Sequence, residues 1–90
     1  MAVYESTPTA GAYVNVTATG TVDSTSGVLM GFYVCSTTGG TIVLRDGGAS
    51  GTVMTGTITP AVGWNVLPVG YNTDLHVTIA NTINVTFVVR

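Results

Sequence analysis

The chain has 90 residues, 7% of them charged and 46% hydrophobic, with a formal net charge of -2. A domain of this size hides only about 60 to 65% of the surface its unfolded chain exposes; with a single Cys and a single His, neither an intramolecular disulfide nor a closed Cys/His zinc site can reinforce it. There is no Lys and the only cations are Arg45 and Arg90, which excludes the clustered positive charge that displaces counterions from nucleic-acid phosphates.

No stretch has helical periodicity, whereas β-branched and aromatic residues alternate with small polar ones between Gly-rich breaks, so the class predicted is all-β. Residues 1–11, MAVYESTPTAG, read as an N-terminal arm because Pro8 interrupts pairing, and residues 12–90 as one domain. A first strand is predicted over 12–19, with Val14, Val16 and Ala18 on one face and Tyr13, Asn15 and Thr17 on the other. After a turn at 23–27 comes the most apolar strand, VLMGFYVCS. Strict alternation places Val28, Met30, Phe32 and Val34 on one side and Leu29, Gly31, Tyr33 and Cys35 on the other. Both faces are apolar, so the second needs a cover from the arm, a loop or another subunit.

The break STTGG at 36–40 leads to TIVLRD, and DGGASG at 46–51 leads to TVMTGTITP, which together predict a three-stranded meander closed by Pro60. A short strand follows around 64–67, bounded by Gly63 and Pro68. Two last strands are predicted to form a hairpin linked at 80–82. Leu75, Val77 and Ile79 point inward in the first, with Asp74, His76 and Thr78 outward; in the second Ile83, Val85, Phe87 and Val89 oppose Asn84, Thr86, Val88 and Arg90. Roughly seven or eight short strands predict an antiparallel, jelly-roll-like β-sandwich.

The longest apolar stretch, 27–35, is too short to cross a bilayer, and the N-terminus lacks a basic region followed by a hydrophobic run. Neither a membrane anchor nor an export signal is expected, and the sequons at Asn15 and Asn84 read as strand composition. Asp74 and His76 form the one acid–imidazole pair, but no Ser stands in a Gly-x-Ser-x-Gly elbow beside them. Nothing in the spacing of Asp46, Asp74 and His76 implies convergence on a metal. Cys35 sits among apolar neighbours, which predicts a packed thiol rather than an activated one. The glycine pairs at 39–40 and 47–48, with no Lys or helix after them, read as turns rather than phosphate loops. No catalytic residue, cofactor or metal is expected.

From Gly27 onward the order GVLMGFYVCSTTGGTIVLRDGG, TVMTGTITPAVGWNVLP and DLHVTIANTINVTFVV, roughly two thirds of the chain, resembles a small domain recurrent among virion proteins of tailed bacteriophages. The resemblance implies a β-sandwich capsid decoration or cement protein, oligomeric at a symmetry axis of the shell. The expectation is a non-enzymatic homotrimer, made in the host cytoplasm and carried on the capsid exterior, that binds across neighbouring subunits of the major capsid protein. Candidate interface residues are Val3 and Tyr4 in the arm and Leu29, Tyr33 and Cys35 on the second face of the apolar strand. The alternative is a receptor- or carbohydrate-binding module of a fibre or tail tip, in which Trp64 and Tyr71 stack on sugar rings.

Overall fold

Two long strands organise the chain, and the others line their edges. The computed structural model describes residues 11–90; Val3 and Tyr4 lie outside the described residues. Threonine, valine and isoleucine favour pleated backbone, and the elements are β1 (Ala12–Val16), β2 (Gly20–Asp23), β3 (Gly27–Asp46), β4 (Thr52–Val53), β5 (Gly63–Tyr71) and β6 (Leu75–Val89). They form one six-stranded antiparallel sheet, with no helix among the described residues. None of those residues therefore makes a helix long and apolar enough to cross a membrane.

β3 and β6 pair from Leu29 opposite Val89 to Arg45 opposite His76. β1 adds to the C-terminal part of β6 and β2 to its N-terminal part. On the other side β5 adds to the first part of β3 and β4 to the last. Two four-stranded halves, β1-β6-β3-β5 and β2-β6-β3-β4, thus share the same central pair. One core cluster draws on both: Leu29, Phe32 and Val34 from the start of β3, Ile42 and Leu44 from its end, and alternate residues of β6 from Leu75 to Val89. Phe32 and Phe87, directly opposite, bring their ring centroids to 5.6 Å at a 47° tilt, within the range where aromatic pairs attract beyond their burial.

A straight strand of the length of β3 would span about 66 Å, yet the longest axis is 44 Å, so the central pair bends between the halves, and here the structure corrects the sequence reading twice. The segment 36–40 does not break the strand and 80–82 is not a hairpin link; both strands run through. The device is a left-handed residue on each strand, Gly39 and Asn81, both at φ 63°. Thr82 opposes both Thr38 and Gly39, the Asn81 amide donates to the Gly39 carbonyl at 2.9 Å, and Thr37 Oγ1 accepts from the Gly40 amide at 3.0 Å. A Cβ on Gly40 would lie 2.6 Å from Ile83 Cβ, so the corner closes only around a residue without a side chain. Four predicted strands therefore become two, and the described residues form six strands rather than the seven or eight expected. The stretch TVMTGTITP contributes only β4 and one bridge, where Ile42 and Ile58 exchange backbone bonds of 3.0 and 2.9 Å.

A second irregularity sorts the faces. The register slips between Leu29 and Gly31 against both neighbours, so strict alternation fails at Met30. Leu29 moves to the side of Phe32 and Val34 and is fully buried. Its expected place beside Tyr33 and Cys35 is corrected: the bulge puts it in the core.

Non-Gly residues at positive φ are costly unless Asn or Asp. Asn81→Val is expected to lower the unfolding free energy by about 1 to 3 kcal/mol, read as a fall in the urea midpoint. Asn81→Gly keeps the angle, loses one exposed hydrogen bond, and is expected to cost under about 1 kcal/mol. Equal losses would mean that the backbone angle is not what the bend requires.

Candidate functional site

The inner face of the β1-β6-β3-β5 half is spent on the core, which leaves its outer face as the candidate site. Cross-strand pairing sets the residues in rows. Tyr13 is opposite Val88, Val88 opposite Gly31, and Gly31 opposite Val66. In the next row Asn15 faces Thr86, Thr86 faces Tyr33, and Tyr33 faces Trp64. Tyr13 is 80% exposed, Val66 69%, Trp64 49% and Tyr33 48%. The indole of Trp64 approaches Gly31, where an added Cβ would come within 2.8 Å of Cζ2; the glycine is the recess that admits the ring.

The polar groups of this face are already engaged with one another. Asn15 Nδ2 donates to Asn84 Oδ1 at 2.8 Å and to Thr86 Oγ1 at 3.0 Å. Cys35 Sγ lies 3.9 Å from Thr86 Oγ1 and is exposed, so the expectation of a packed thiol is corrected: apolar neighbours along a strand alternate faces and do not by themselves cover it. Of the candidates on this strand, Tyr33 and Cys35 share the outer face and Leu29 does not. Tyr13 and Val66 were not singled out from sequence; the signal for Val66 was the spacing of Trp64 and Val66 at i and i+2 of a short strand.

Tyr71 is only 2% exposed and its hydroxyl donates to Asp23 Oδ2 at 2.6 Å. It is opposite Gly27 at the far end of β5 from Trp64, seven residues or about 23 Å along a strand. Trp64 and Tyr71 do not form the common stacking surface that the carbohydrate alternative expected, because Tyr71 anchors β5 to the end of β2.

Asp74 and His76 do not form an acid–imidazole pair. Asp74 Oδ1 accepts from the amides of Gly47 and Gly48, both at 2.9 Å. Asp46 answers from the opposite turn, accepting from the amides of Asn72 at 2.7 Å, Thr73 at 2.8 Å and Asp74 at 3.3 Å. Each carboxylate caps the other's loop. His76, expected to point to solvent, is buried at 7% exposure between its cross-strand partners Thr21 and Arg45. Its Nδ1 has no hydrogen-bond partner, and neither has Arg45 Nε; Arg45 Nη1 donates to the Gly51 carbonyl at 3.3 Å. No three His, Cys, Asp or Glu side chains converge as metal ligands among the described residues.

These turns predict a pH dependence. The Tyr71 hydroxyl, then the Thr25 amide, hold Asp23 below the ordinary 3.8; the amides of Asn72 and Thr73 do the same for Asp46. A carboxylate lowered on folding stabilises above its unfolded value and is lost as pH falls through the folded one. Stability is expected to decline below pH 3.8, and Asp46→Asn to remove part of that decline, followed as the denaturant midpoint against pH. Burial, then Asp23, raises the Tyr71 phenol above its usual 10.0. The unfolded phenol ionises first, so stability is also expected to fall above pH 10.0. An Asp46→Asn variant with an unchanged acid limb would remove the mutual cap from this explanation.

No protein-family model matches the chain, and no curated protein or solved structure is significantly similar to it.

Proposed function

We propose that the chain is a non-enzymatic structural subunit of a virion, one that decorates or cements a bacteriophage capsid by binding across neighbouring major capsid protein subunits on the exterior of the shell. The observation that carries this reading is the outer face of the β1-β6-β3-β5 half, where Tyr13, Tyr33, Trp64 and Val66 stand in open solvent positions on paired strands. An antiparallel sheet with one wet face ordinarily alternates apolar and polar residues, and aromatic residues are enriched at the cores of protein interfaces. Hydroxyl and amide groups already bonded to one another, as around Asn15, enter an interface with less desolvation cost than unpaired ones.

The order of short motifs from Gly27 to the C-terminus supports the virion part of the reading. The shared core under the bend supports a finer view of the fold, in which the two halves pack as the layers of a small sandwich. Self-association belongs to the same proposal, with a homotrimer as the count that the resemblance implies. The mechanism is passive: a subunit that binds only the assembled lattice stabilises that state by mass action.

Because the contact face is uncharged across its two rows, screening has little to act on. The protein is expected to co-sediment with empty shells to a similar extent at low and high salt. Release by high salt alone would show that ion pairs hold it and would contradict the proposed interface.

A further inference from the structure

We infer that residues 47–62, between the end of β3 and the start of β5, form a strap that opens from the edge of the sheet as one unit while the β3–β6 pair stays closed. Few ties hold this segment to β3. Beyond the two pairs of β4, Val53 with Arg45 and Thr52 with Asp46, its backbone bonds to β3 are at Leu44 and Ile42. The Leu44 carbonyl accepts from the Met54 amide at 2.8 Å and from the Thr55 amide at 3.4 Å, and Ile42 and Ile58 make the isolated bridge. Where a longer strand would supply a carbonyl, the Leu44 amide donates to a side chain, Thr55 Oγ1, at 3.2 Å. The apolar anchors are Met54 and Ile58, packed against the core but only partly buried, and Pro60, which is buried. Thr52, Val53, Thr57, Thr59 and Val62 are exposed.

Both ends of the segment are glycine turns. Gly47 and Gly48 take φ of 106° and 87°, and Gly63 takes 119°. An added Cβ at Gly48 or Gly63 would meet nothing within 4 Å, so these glycines answer to backbone angle rather than to space, and the chain can reorient there without unpacking a side chain. Asp74, which accepts from the amides of Gly47 and Gly48, pins the first end as the pivot. Closure also carries a polar cost. Arg45 stands between β4 and His76 in the register, and its Nη1 donates to the Gly51 carbonyl of the strap at 3.3 Å. Arg45 Nε and His76 Nδ1 are both buried without a partner. A polar atom buried unpaired has lost its water without compensation; releasing the guanidinium from Gly51 returns water to it. Opening leaves the central pair in register, because Ile42 stays opposite Ile79 and Leu44 opposite Val77 on β6. What changes is the edge of β3, where the backbone groups of Ile42 and Leu44 that meet the strap become free.

Hydrogen exchange of the full chain, followed amide by amide by nuclear magnetic resonance in urea below the unfolding transition, tests the strap. The amides of Ile42, Leu44, Met54 and Ile58 are expected to share one opening. That opening should be at least about tenfold more frequent than the one that exposes the amides joining β3 to β6, and less steeply promoted by urea because it uncovers less surface. Asn81→Val strains the bend whether the strap is open or closed, so it is expected to speed exchange along the β3–β6 ladder and to leave the strap amides unchanged. Strap amides that exchange at the rate of the ladder would overturn the inference. So would strap amides that each follow an opening of their own with no dependence on urea, or that accelerate with the ladder in Asn81→Val. Should Asn81→Val fail to fold, the wild-type rates and urea slopes decide alone.

Discussion

Gly39 and Asn81, one on each of the two longest strands, both adopt the left-handed backbone conformation, and the rest of the molecule follows from the bend they impose. β3 and β6 stay hydrogen-bonded through it, so a single strand pair supplies the inner face of both halves. That arrangement lets a short chain bury Leu29, Phe32 and Val34 in the same cluster as Ile42, Leu44 and Leu75. Burial at about 25 cal/mol per Å2 is the main favourable term in folding, and here it depends on two residues that tolerate positive φ.

The bend also decides which surfaces are left over. Once the inner positions of β3 and β6 are committed, every second residue faces outward, and the bulge at Met30 and Gly31 fixes which ones. Leu29 goes in; Tyr33, Trp64 and Val66 remain out. The scarcity of charge has a spatial order too. Asp23, Asp46 and Asp74 are used as acceptors for turn amides and hydroxyls, and Arg45 lies beside His76 in the other half. The two central rows of the first half's outer face carry no ionised side chain, and Arg90 stands beside Val28 at its end.

The all-β class was legible in the alternation of β-branched with small polar residues, and the inward set Leu75, Val77, Ile83, Val85 and Phe87 is the observed core side of β6. The misreadings have one physical origin, since local sequence records conformation and not partner. A Gly-rich STTGG looks the same in a loop and in a bent strand, and Asn81 suits a hairpin turn as well as a corner. Only the pairing of Thr82 with Thr38 and Gly39 separates the two. Parity along β3 was followed across a bulge that neither Met30 nor Gly31 announces, which misplaced Leu29. Of the candidate site, Tyr33 was legible as part of the second face of the apolar strand, and Trp64 as a ring able to stack on sugars. Tyr13 and Val66 join them only through cross-strand register, and Tyr71 leaves because its hydroxyl reaches an Asp 48 positions away.

The sorting of the two faces of β3 is tested most directly by nuclear Overhauser contacts and proton shifts around the bulge, in protein dilute enough to be one species. The result expected is contact from the Leu29 methyls to Val69 and Val89, their pairing neighbours, with Gly31 Hα moved upfield by the Trp64 ring above it. Leu29 methyls without contact to Val69 or Val89, with Gly31 Hα at an ordinary shift, would mean that the strand alternates without a bulge. The core and the outer face would then both be differently composed.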